Sequence, residues 1–264
     1  MKTRLTDNLP IASMVALLAL APLAASRTAK AEPTEITVRV LSKDAKFIGS
    51  GMGGMRITLR DAQTGELLTT GLIAGGTGDT KRIMQASDGR RAGMSDKSAA
   101  KFVAVLDLNE PRMIEVEAFG PLGQPQAAHR VASTQWVVPG RHVSGGDGWV
   151  LELPGFVVDV LAPAAAIKLG KNASKVDLRA NVVMMCGCPI EPRGMWDANS
   201  YEVKAIVKRN GEAAGTYDLS YAGETSQFSG AVPVSGPGAY EVIVYAYDRA
   251  NGNTGLDRTT FIVE

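Results

Sequence analysis

The chain has 264 residues, 45% of them hydrophobic, and its 28 basic and 27 acidic residues give a formal net charge of +1. Because this charge is nearly balanced, there is no electrostatic reason to expect binding to nucleic acid or to an anionic membrane. The 29 glycines and the low aromatic content of 6% favour many turns over long helices, and two cysteines are too few to replace hydrophobic cores with a disulfide framework.

Residues 1–31 have the three regions of a secretory signal. A positively charged start is followed by an apolar stretch at 11–21 and by Ala-Lys-Ala at 29–31, the small residues that a signal peptidase recognises. The alternative is a membrane anchor, but the apolar run is too short to span a bilayer and is followed by Pro22. We therefore predict cleavage after residue 31, a periplasmic or secreted protein, and no transmembrane segment after cleavage.

Residues 32–161 show a repeated alternation of apolar and polar residues, which is the period of half-buried β-strands. The strand candidates lie at residues 36–40, 55–60, 66–71, 102–106, 113–118 and 149–160. Trp149 begins the last of them and is predicted to lie in the core. Residues 94–101 are predicted to form one or two helical turns at most, capped by Ser95. These patterns predict a first β-sandwich domain with little helix.

One segment of this first half resembles a known family. Residues 56–60, Asp61 and the Thr64-Gly65-Glu66 turn are similar to the strand–turn–strand of carboxypeptidase-regulatory or transthyretin-like domains. The resemblance implies an all-β sandwich and implies no particular activity.

The second half begins after a linker. Residues 162–166 are small and contain Pro163, which is typical of such a connection. Alternating runs then resume, and residues 167–264 have the length of a sandwich of roughly seven short strands. Asn210-Gly211 lies between two of these runs and predicts a two-residue hairpin turn, because both residues tolerate positive φ.

The final hairpin of the chain resembles the last strands of bacterial immunoglobulin-like and fibronectin-type domains. The residues that carry the resemblance are Pro237-Gly238-Ala239-Tyr240, Ala246-Tyr247-Asp248, Gly252-Asn253 and Thr260-Phe261-Ile262-Val263. This resemblance covers residues 167–264 and implies an immunoglobulin-like fold, a fold that serves many different roles. The whole chain is therefore predicted to be all-β, with two consecutive β-sandwich domains at 32–161 and 167–264.

The Cys186-Gly187-Cys188 sequence contains both cysteines of the chain. In a strand, Met184, Cys186 and Cys188 point to one face and Met185 points to the other. Together with Met195 from the following loop, the trio forms a set of soft sulfur ligands, which suits Cu(I). Copper is the one cofactor that the residues suggest.

The same two cysteines can instead form a local disulfide, either structural or redox-active. Cys186 and Cys188 are too close in sequence to be the inter-sheet disulfide of antibody domains. Both metal binding and redox exchange require sulfurs near the surface at a strand end, whereas buried, unreactive sulfurs would have a structural role only.

Two further sets of residues are weaker candidates for metal binding. His129, His142 and Asp147 contain suitable ligand atoms, but no tight spacing brings them together, and the histidines are interpreted as loop residues.

The second set has carboxylate oxygens, which suit calcium, and consists of Asp79, Asp88 and Asp96. These residues lack the alternate spacing of a calcium loop.

These patterns predict a binding or accessory protein without a catalytic site of its own. Its expected partner is an envelope protein or an extracellular ligand. The alternative is a periplasmic copper-handling or thiol-redox protein that uses Cys186 and Cys188. A third interpretation is an enzyme subunit whose chemistry lies in a partner chain.

Overall fold

The computed structural model describes residues 30–85, 89 and 92–264, so the predicted signal lies almost entirely outside the described residues. The described chain is built from strands. Its helical elements are one short α-helix and two single-turn 3₁₀ helices, at Ser50–Met52 and Ala198–Ser200. The predicted all-β fold is confirmed.

Seven strands form the first sandwich. They are β1 (Glu32–Ser42), β2 (Arg56–Asp61), β3 (Leu67–Leu72), β4 (Phe102–Leu108), β5 (Arg112–Gly120), β6 (His129–Val137) and β7 (Trp149–Leu153). One sheet has the order β4-β1-β7, with β1 and β7 parallel, and the other has the order β3-β2-β5-β6 with antiparallel pairs. Alternation in β1 places Ile36, Val38 and Val40 in the core.

The predicted core position of Trp149 is confirmed. Its side chain is 7% exposed and packs in the first core with the inward residues of the same strand. Its indole Nε1 donates a hydrogen bond to Ser133 Oγ on β6 at 2.7 Å, which satisfies the one polar group that this burial removes from water.

The α-helix of the described residues is not where the sequence predicts helical turns. Helix α1 (Thr80–Met84) begins after Asp79, whose side chain caps it, whereas residues 94–101 are not helical. The predicted helix at 94–101 is therefore wrong. The segment is not helical because of a tertiary contact. The Asp147 side chain accepts hydrogen bonds from the backbone N–H groups of Met94 and Ser95 and holds the segment against the loop between β6 and β7.

Nine strands form the second sandwich. They are β8 (Phe156–Ala162), β9 (Ile167–Leu169), β10 (Lys175–Met184), β11 (Tyr201–Arg209), β12 (Glu212–Asp218), β13 (Ser220–Tyr221), β14 (Gln227–Pro233), β15 (Gly238–Asp248) and β16 (Thr254–Val263). The sheet orders are β13-β14-β10-β8 and β12-β11-β15-β16-β9. The strand order of these two sheets is that of an immunoglobulin-like fold. The resemblance of the second half is therefore confirmed at the level of fold.

A buried tyrosine marks the same fold. Tyr240, near the start of β15, donates a hydrogen bond from its hydroxyl to the carbonyl oxygen of Gly236 at 2.8 Å and stacks on Phe261. This is the tyrosine corner of immunoglobulin-like domains. Val242, two residues later, occupies the position of the second inter-sheet cysteine of antibody domains, so apolar packing replaces that disulfide here.

The hairpin turn predicted at Asn210-Gly211 is confirmed. Both residues have positive φ, at 53° and 86°, and they join β11 to β12. Positive φ at both central residues gives the turn a twist that matches the twist of the flanking strands.

The stretch predicted as one strand at 149–160 is two strands in different sandwiches. Pro154-Gly155 interrupts it, since proline cannot donate to the ladder and Gly155 has a φ of 123°. Strand β7 pairs with β1, whereas β8 pairs with β10. The chain therefore passes from the first sandwich to the second at residues 154–155. The predicted linker at 162–166 comes later and connects β8 to β9 within the second sandwich.

Candidate functional site

The Cys-Gly-Cys sequence forms a tight turn directly after β10. The Gly187 N–H donates to the Met184 carbonyl at 2.7 Å, and the Met184 N–H donates to the Cys188 carbonyl at 3.1 Å. The sulfurs of Cys186 and Cys188 lie at disulfide-bond distance, with the two Cα atoms 5.4 Å apart. A strand end is one of the two features that metal binding or redox exchange requires; the other is a position near the surface.

Gly187 is required at the centre of this turn for two reasons. Its φ of 76° lies in the left-handed region, where a Cβ is unfavourable. A Cβ at this position would also lie 2.6 Å from the Sδ atom of Met52, a residue of the first sandwich. Met52 of the first sandwich therefore lies against one side of the turn, while Gly187 and Pro189 themselves are exposed.

The sulfurs are buried, in contrast to the exposed position that metal binding or redox exchange requires. Cys186 and Cys188 are each 4% exposed and lie in the second core with Met184, whereas Met185 lies in the first core. Met195 is 46% exposed and is not part of either core. The structure thus brings together three of the four predicted copper ligands and leaves Met195 apart.

The disulfide also changes the chemistry of the pair. A cysteine binds metal as a thiolate, and sulfurs that are joined to each other have no thiolate to offer. Copper binding by Cys186 and Cys188 therefore remains a prediction that concerns the reduced protein.

The turn lies at a packed junction between the two sandwiches. The sheet that contains β8 and β10 has one face in the second core, and its other face contributes Val157, Val183 and Met185 to the first core. Ala45, from the loop after β1, packs in the second core in return. Residues 31–264 consequently form one compact unit.

Hydrogen bonds support the same junction. The indole Nε1 of Trp196 donates to the Asp44 carbonyl at 2.9 Å, and Lys43 Nζ donates to the Asn251 carbonyl at 3.0 Å. Trp196 is buried and packs in the second core. Contacts of both kinds, apolar and polar, hold the two sandwiches in one orientation.

A cleft opens beside this junction, and sequence reasoning did not find it. Its volume is about 470 Å³, within the size range of ligand pockets. The first sandwich contributes residues 126–129, and the second contributes outward side chains of β11, β15 and β16. The lining residues are Gln126, Ala127, Ala128, His129, Phe156, Ile206, Ile243, Tyr245, Thr254, Gly255 and Leu256.

The floor of the cleft depends on a close approach of two strands. A Cβ at Gly255 would clash with the backbone carbonyl of Phe156, so the absence of a side chain lets β16 pack against β8. The sequence of β16 gives one indication of the site, because its alternation places the apolar Leu256 on the outward face. It does not reveal the facing wall, because residues 126–129 are more than a hundred residues away in sequence.

Charged groups lie behind the cleft lining rather than in it. The hydroxyl of Tyr245 donates to Glu202 Oε1 at 2.7 Å, and burial together with this hydrogen bond raises the pKa of Tyr245 to about 12. Hydrogen bonds from Arg249 and Tyr245 lower the pKa of Glu202 to about 2. On the other side, burial and then the charge of Asp257 raise the pKa of Asp159, which accepts from Gln126 Nε2 at 2.8 Å.

The remaining predicted ligand residues are not brought together. His142 Nδ1 accepts from the Glu35 N–H at 3.0 Å, and His129 lies in the cleft. Burial opposes ionisation of Asp147, but hydrogen bonds from Met94 and Ser95 outweigh it and lower the pKa of Asp147. Among the described residues, no group of three histidine, cysteine, aspartate or glutamate side chains is placed to hold a metal ion.

The acidic residues considered for calcium have local roles. Asp79 caps helix α1, and Asp96 accepts from the backbone N–H groups of Ser98 and Ala99. Asp88 lies outside the described residues. Within the described part of the chain, no helix has both the length and the apolar character needed to cross a membrane.

Comparison with known proteins finds similarity to solved structures only. No protein-family model matches the chain, and no curated protein matches it. Fibronectin(III)-like modules of CbhA from Clostridium thermocellum align over 91% of this chain and 92% of that chain, with 15% identity and a TM-score of 0.30. A tandem pair of titin immunoglobulin domains aligns over 89% and 90%, with 9% identity and a TM-score of 0.23.

An engineered protein aligns over 48% of this chain and 24% of that chain, with 19% identity and a TM-score of 0.29, so this chain spans about a quarter of its length. TM-scores of this size carry no functional argument. The immunoglobulin-like assignment of the second half rests on its own strand order and tyrosine corner.

Proposed function

We propose that the protein acts outside the cytosol as a non-catalytic binding or accessory protein, and that it binds its ligand in the cleft between its two sandwiches. The observation that carries this proposal is the cleft itself, whose walls come from both sandwiches and which adjoins their packed junction. Ligand sites occur preferentially at such domain interfaces.

The junction makes the site suitable for binding. Because apolar contacts and hydrogen bonds hold both walls, the cleft exists before a ligand arrives, and binding does not have to order it. The predicted signal at 1–31 supports export of the protein, and a disulfide between Cys186 and Cys188 fits an oxidising compartment.

The test is binding that depends on the cleft. Purified protein is screened by native mass spectrometry against a library of neutral, anionic and cationic small molecules. Leu256→Lys places a charge in the cleft, whereas Ile262→Lys places one at a similarly exposed position of the same strand outside it; the two side chains are 43% and 41% exposed. We expect the screen to find ligands that bind the wild-type protein and Ile262→Lys but do not bind Leu256→Lys.

Two results contradict the proposal. If no member of the library binds in a manner that depends on Leu256, the cleft is not the binding site. Robust turnover of the purified protein in hydrolase and thiol-oxidoreductase substrate panels would contradict the non-catalytic role.

A further inference from the structure

The cleft lining contains no lysine, arginine, aspartate or glutamate among the described residues. A charged ligand would give up its hydration on entering and would meet no opposite charge in the lining. Burial of a charge without a partner is strongly unfavourable. The nearest carboxylate on the Tyr245 side, Glu202, is already engaged by Arg249 at 2.7 Å. These contacts favour a neutral ligand.

The wall formed by the second sandwich presents four large side chains to the cleft. Ile206 lies directly opposite Ile243 in the sheet, and Tyr245 lies directly opposite Leu256 in a neighbouring row. All four point outward on the same face and line the cleft.

The other end of each row is a basic residue outside the lining: Arg258 is opposite Ile243, and Lys204 is opposite Tyr245. The facing wall includes the small side chains of Ala127 and Ala128. A ring can therefore lie on the four large side chains without meeting a bulky side chain from Ala127 or Ala128.

Among the described residues, three side-chain polar atoms of the lining have no hydrogen-bond partner: Gln126 Oε1, Thr254 Oγ1 and one ring nitrogen of His129. The His129 nitrogen is the one that belongs to an aromatic ring and can only accept in the neutral form. The Tyr245 hydroxyl is used by Glu202, and Gln126 Nε2 is used by Asp159. His129 Nδ1 lies 2.9 Å from the carbonyl oxygen of Ala127, which can only accept, so Nδ1 carries the proton and donates.

In the neutral imidazole, His129 Nε2 is then an acceptor. Among the described residues it has no hydrogen-bond partner, and it is accessible rather than fully buried. A ligand in the cleft that supplies an N–H or O–H donor would satisfy it.

We propose that the cleft binds a neutral aromatic molecule with a hydrogen-bond donor, which donates to His129 Nε2 while its ring lies on the wall formed by Ile206, Ile243, Tyr245 and Leu256. This inference rests on the proposed function of the cleft and names its ligand class. Aromatic nitrogen heterocycles with a ring N–H and simple phenols both have this chemistry.

The probes are four indoles that share one ring system. Indole is neutral and has the donor, 1-methylindole is neutral without it, indole-3-acetate is an anion and tryptamine is a cation. Binding to the full chain is measured by ligand-observed NMR and isothermal titration calorimetry. We expect indole to bind about 3- to 10-fold more tightly than 1-methylindole, the difference expected for one neutral hydrogen bond. Both charged analogues should bind more weakly than indole.

Two variants test the assignment to His129 and to the wall. His129→Phe keeps an aromatic ring and removes the acceptor, so indole should weaken to the level of 1-methylindole while 1-methylindole is unchanged. Leu256→Lys should abolish binding of both, and Ile262→Lys should affect neither. Because indole and 1-methylindole are also compared on the unmodified protein, the test does not depend on the folding of a variant, which thermal unfolding monitors.

Each contrary outcome has a defined meaning. Equal affinity for indole and 1-methylindole overturns the role of His129 Nε2, and tighter binding of a charged analogue overturns the neutral ligand class. If no indole binds but another library compound binds in a Leu256-dependent manner, the ligand class is overturned and the proposed function stands. If nothing binds in that manner, both are overturned.

Discussion

Gly187 combines a backbone constraint with a packing constraint, and the two can be separated. Its φ is 76° and its Cα faces Met52, whereas Gly211 in the β11–β12 turn has a φ of 86° and open space around it. Each Gly→Ala change carries the cost of a left-handed alanine. Only the change at 187 adds a clash with a side chain from the other sandwich.

We therefore predict that Gly187→Ala lowers the free energy of unfolding by about 0.5–1.5 kcal/mol more than Gly211→Ala, the usual cost of forcing a side chain, here Met52, away from its preferred rotamer. Urea unfolding of the two variants measures the difference. Equal losses would show that Met52 moves aside without cost.

The copper-handling alternative makes a separate prediction about the sulfurs. Reduced protein should bind Cu(I) in preference to Zn(II), because thiolate and thioether ligands are soft. Cys188→Ser should abolish binding, whereas Met195→Ala should not affect it, since Met195 is exposed and lies outside the core that holds Cys186 and Cys188. Titration against competing chelators measures both metals. Indifference of the reduced protein to copper would leave the disulfide with a structural role.

At the scale of the strands, β6 and β7 offer two tryptophans with opposite environments. Trp149 on β7 is buried in the first core, whereas Trp136 on β6 is 56% exposed. The same substitution at the two sites therefore compares burial with exposure within one sandwich.

Trp149→Ala should lower the free energy of unfolding by about 3–5 kcal/mol, the usual range for emptying a buried aromatic site. Trp136→Ala should change it by less than about 0.5 kcal/mol, as is usual for exposed positions. Chemical denaturation followed by circular dichroism checks both values. A large loss at Trp136 with a small one at Trp149 would reverse the assignment of core and surface.

At the scale of the whole molecule, the junction makes the two sandwiches depend on each other. Met185 is fully buried and reaches from the second sandwich into the first core. Since each core includes side chains from the other sandwich, we expect the wild-type protein to unfold in a single cooperative transition.

Met185→Asp buries an unpaired charge at this junction and should separate the unfolding into two transitions. Differential scanning calorimetry, with circular dichroism and tryptophan fluorescence as independent probes, measures the number of transitions. Met195→Asp is the matched control at an exposed methionine and should leave the single transition intact. Independent transitions in the wild-type protein would mean that the junction does not couple the sandwiches.

Much of the local architecture follows from the sequence because it depends on neighbouring residues. The period of two in β1 determines which side chains face the core, and Asn210-Gly211 determines its own turn because both residues tolerate positive φ. Met184 at the end of β10 and Met185 after it lie in different cores, as alternation predicts. Cys186 and Cys188 share the core of Met184 for another reason, since they lie beyond the strand in a turn that folds back on Met184.

Only the tertiary structure decides the features that depend on residues far apart in the chain. Cys186 and Cys188 are buried in the second core among residues of distant strands, and whether 94–101 forms a helix depends on Asp147. The cleft needs His129 of one sandwich beside Tyr245 and Leu256 of the other. Periodicity shows which side chains leave a strand on the same face, but it carries no information about which distant segment covers that face. For this reason the sulfur pair was found in the sequence and the cleft was not.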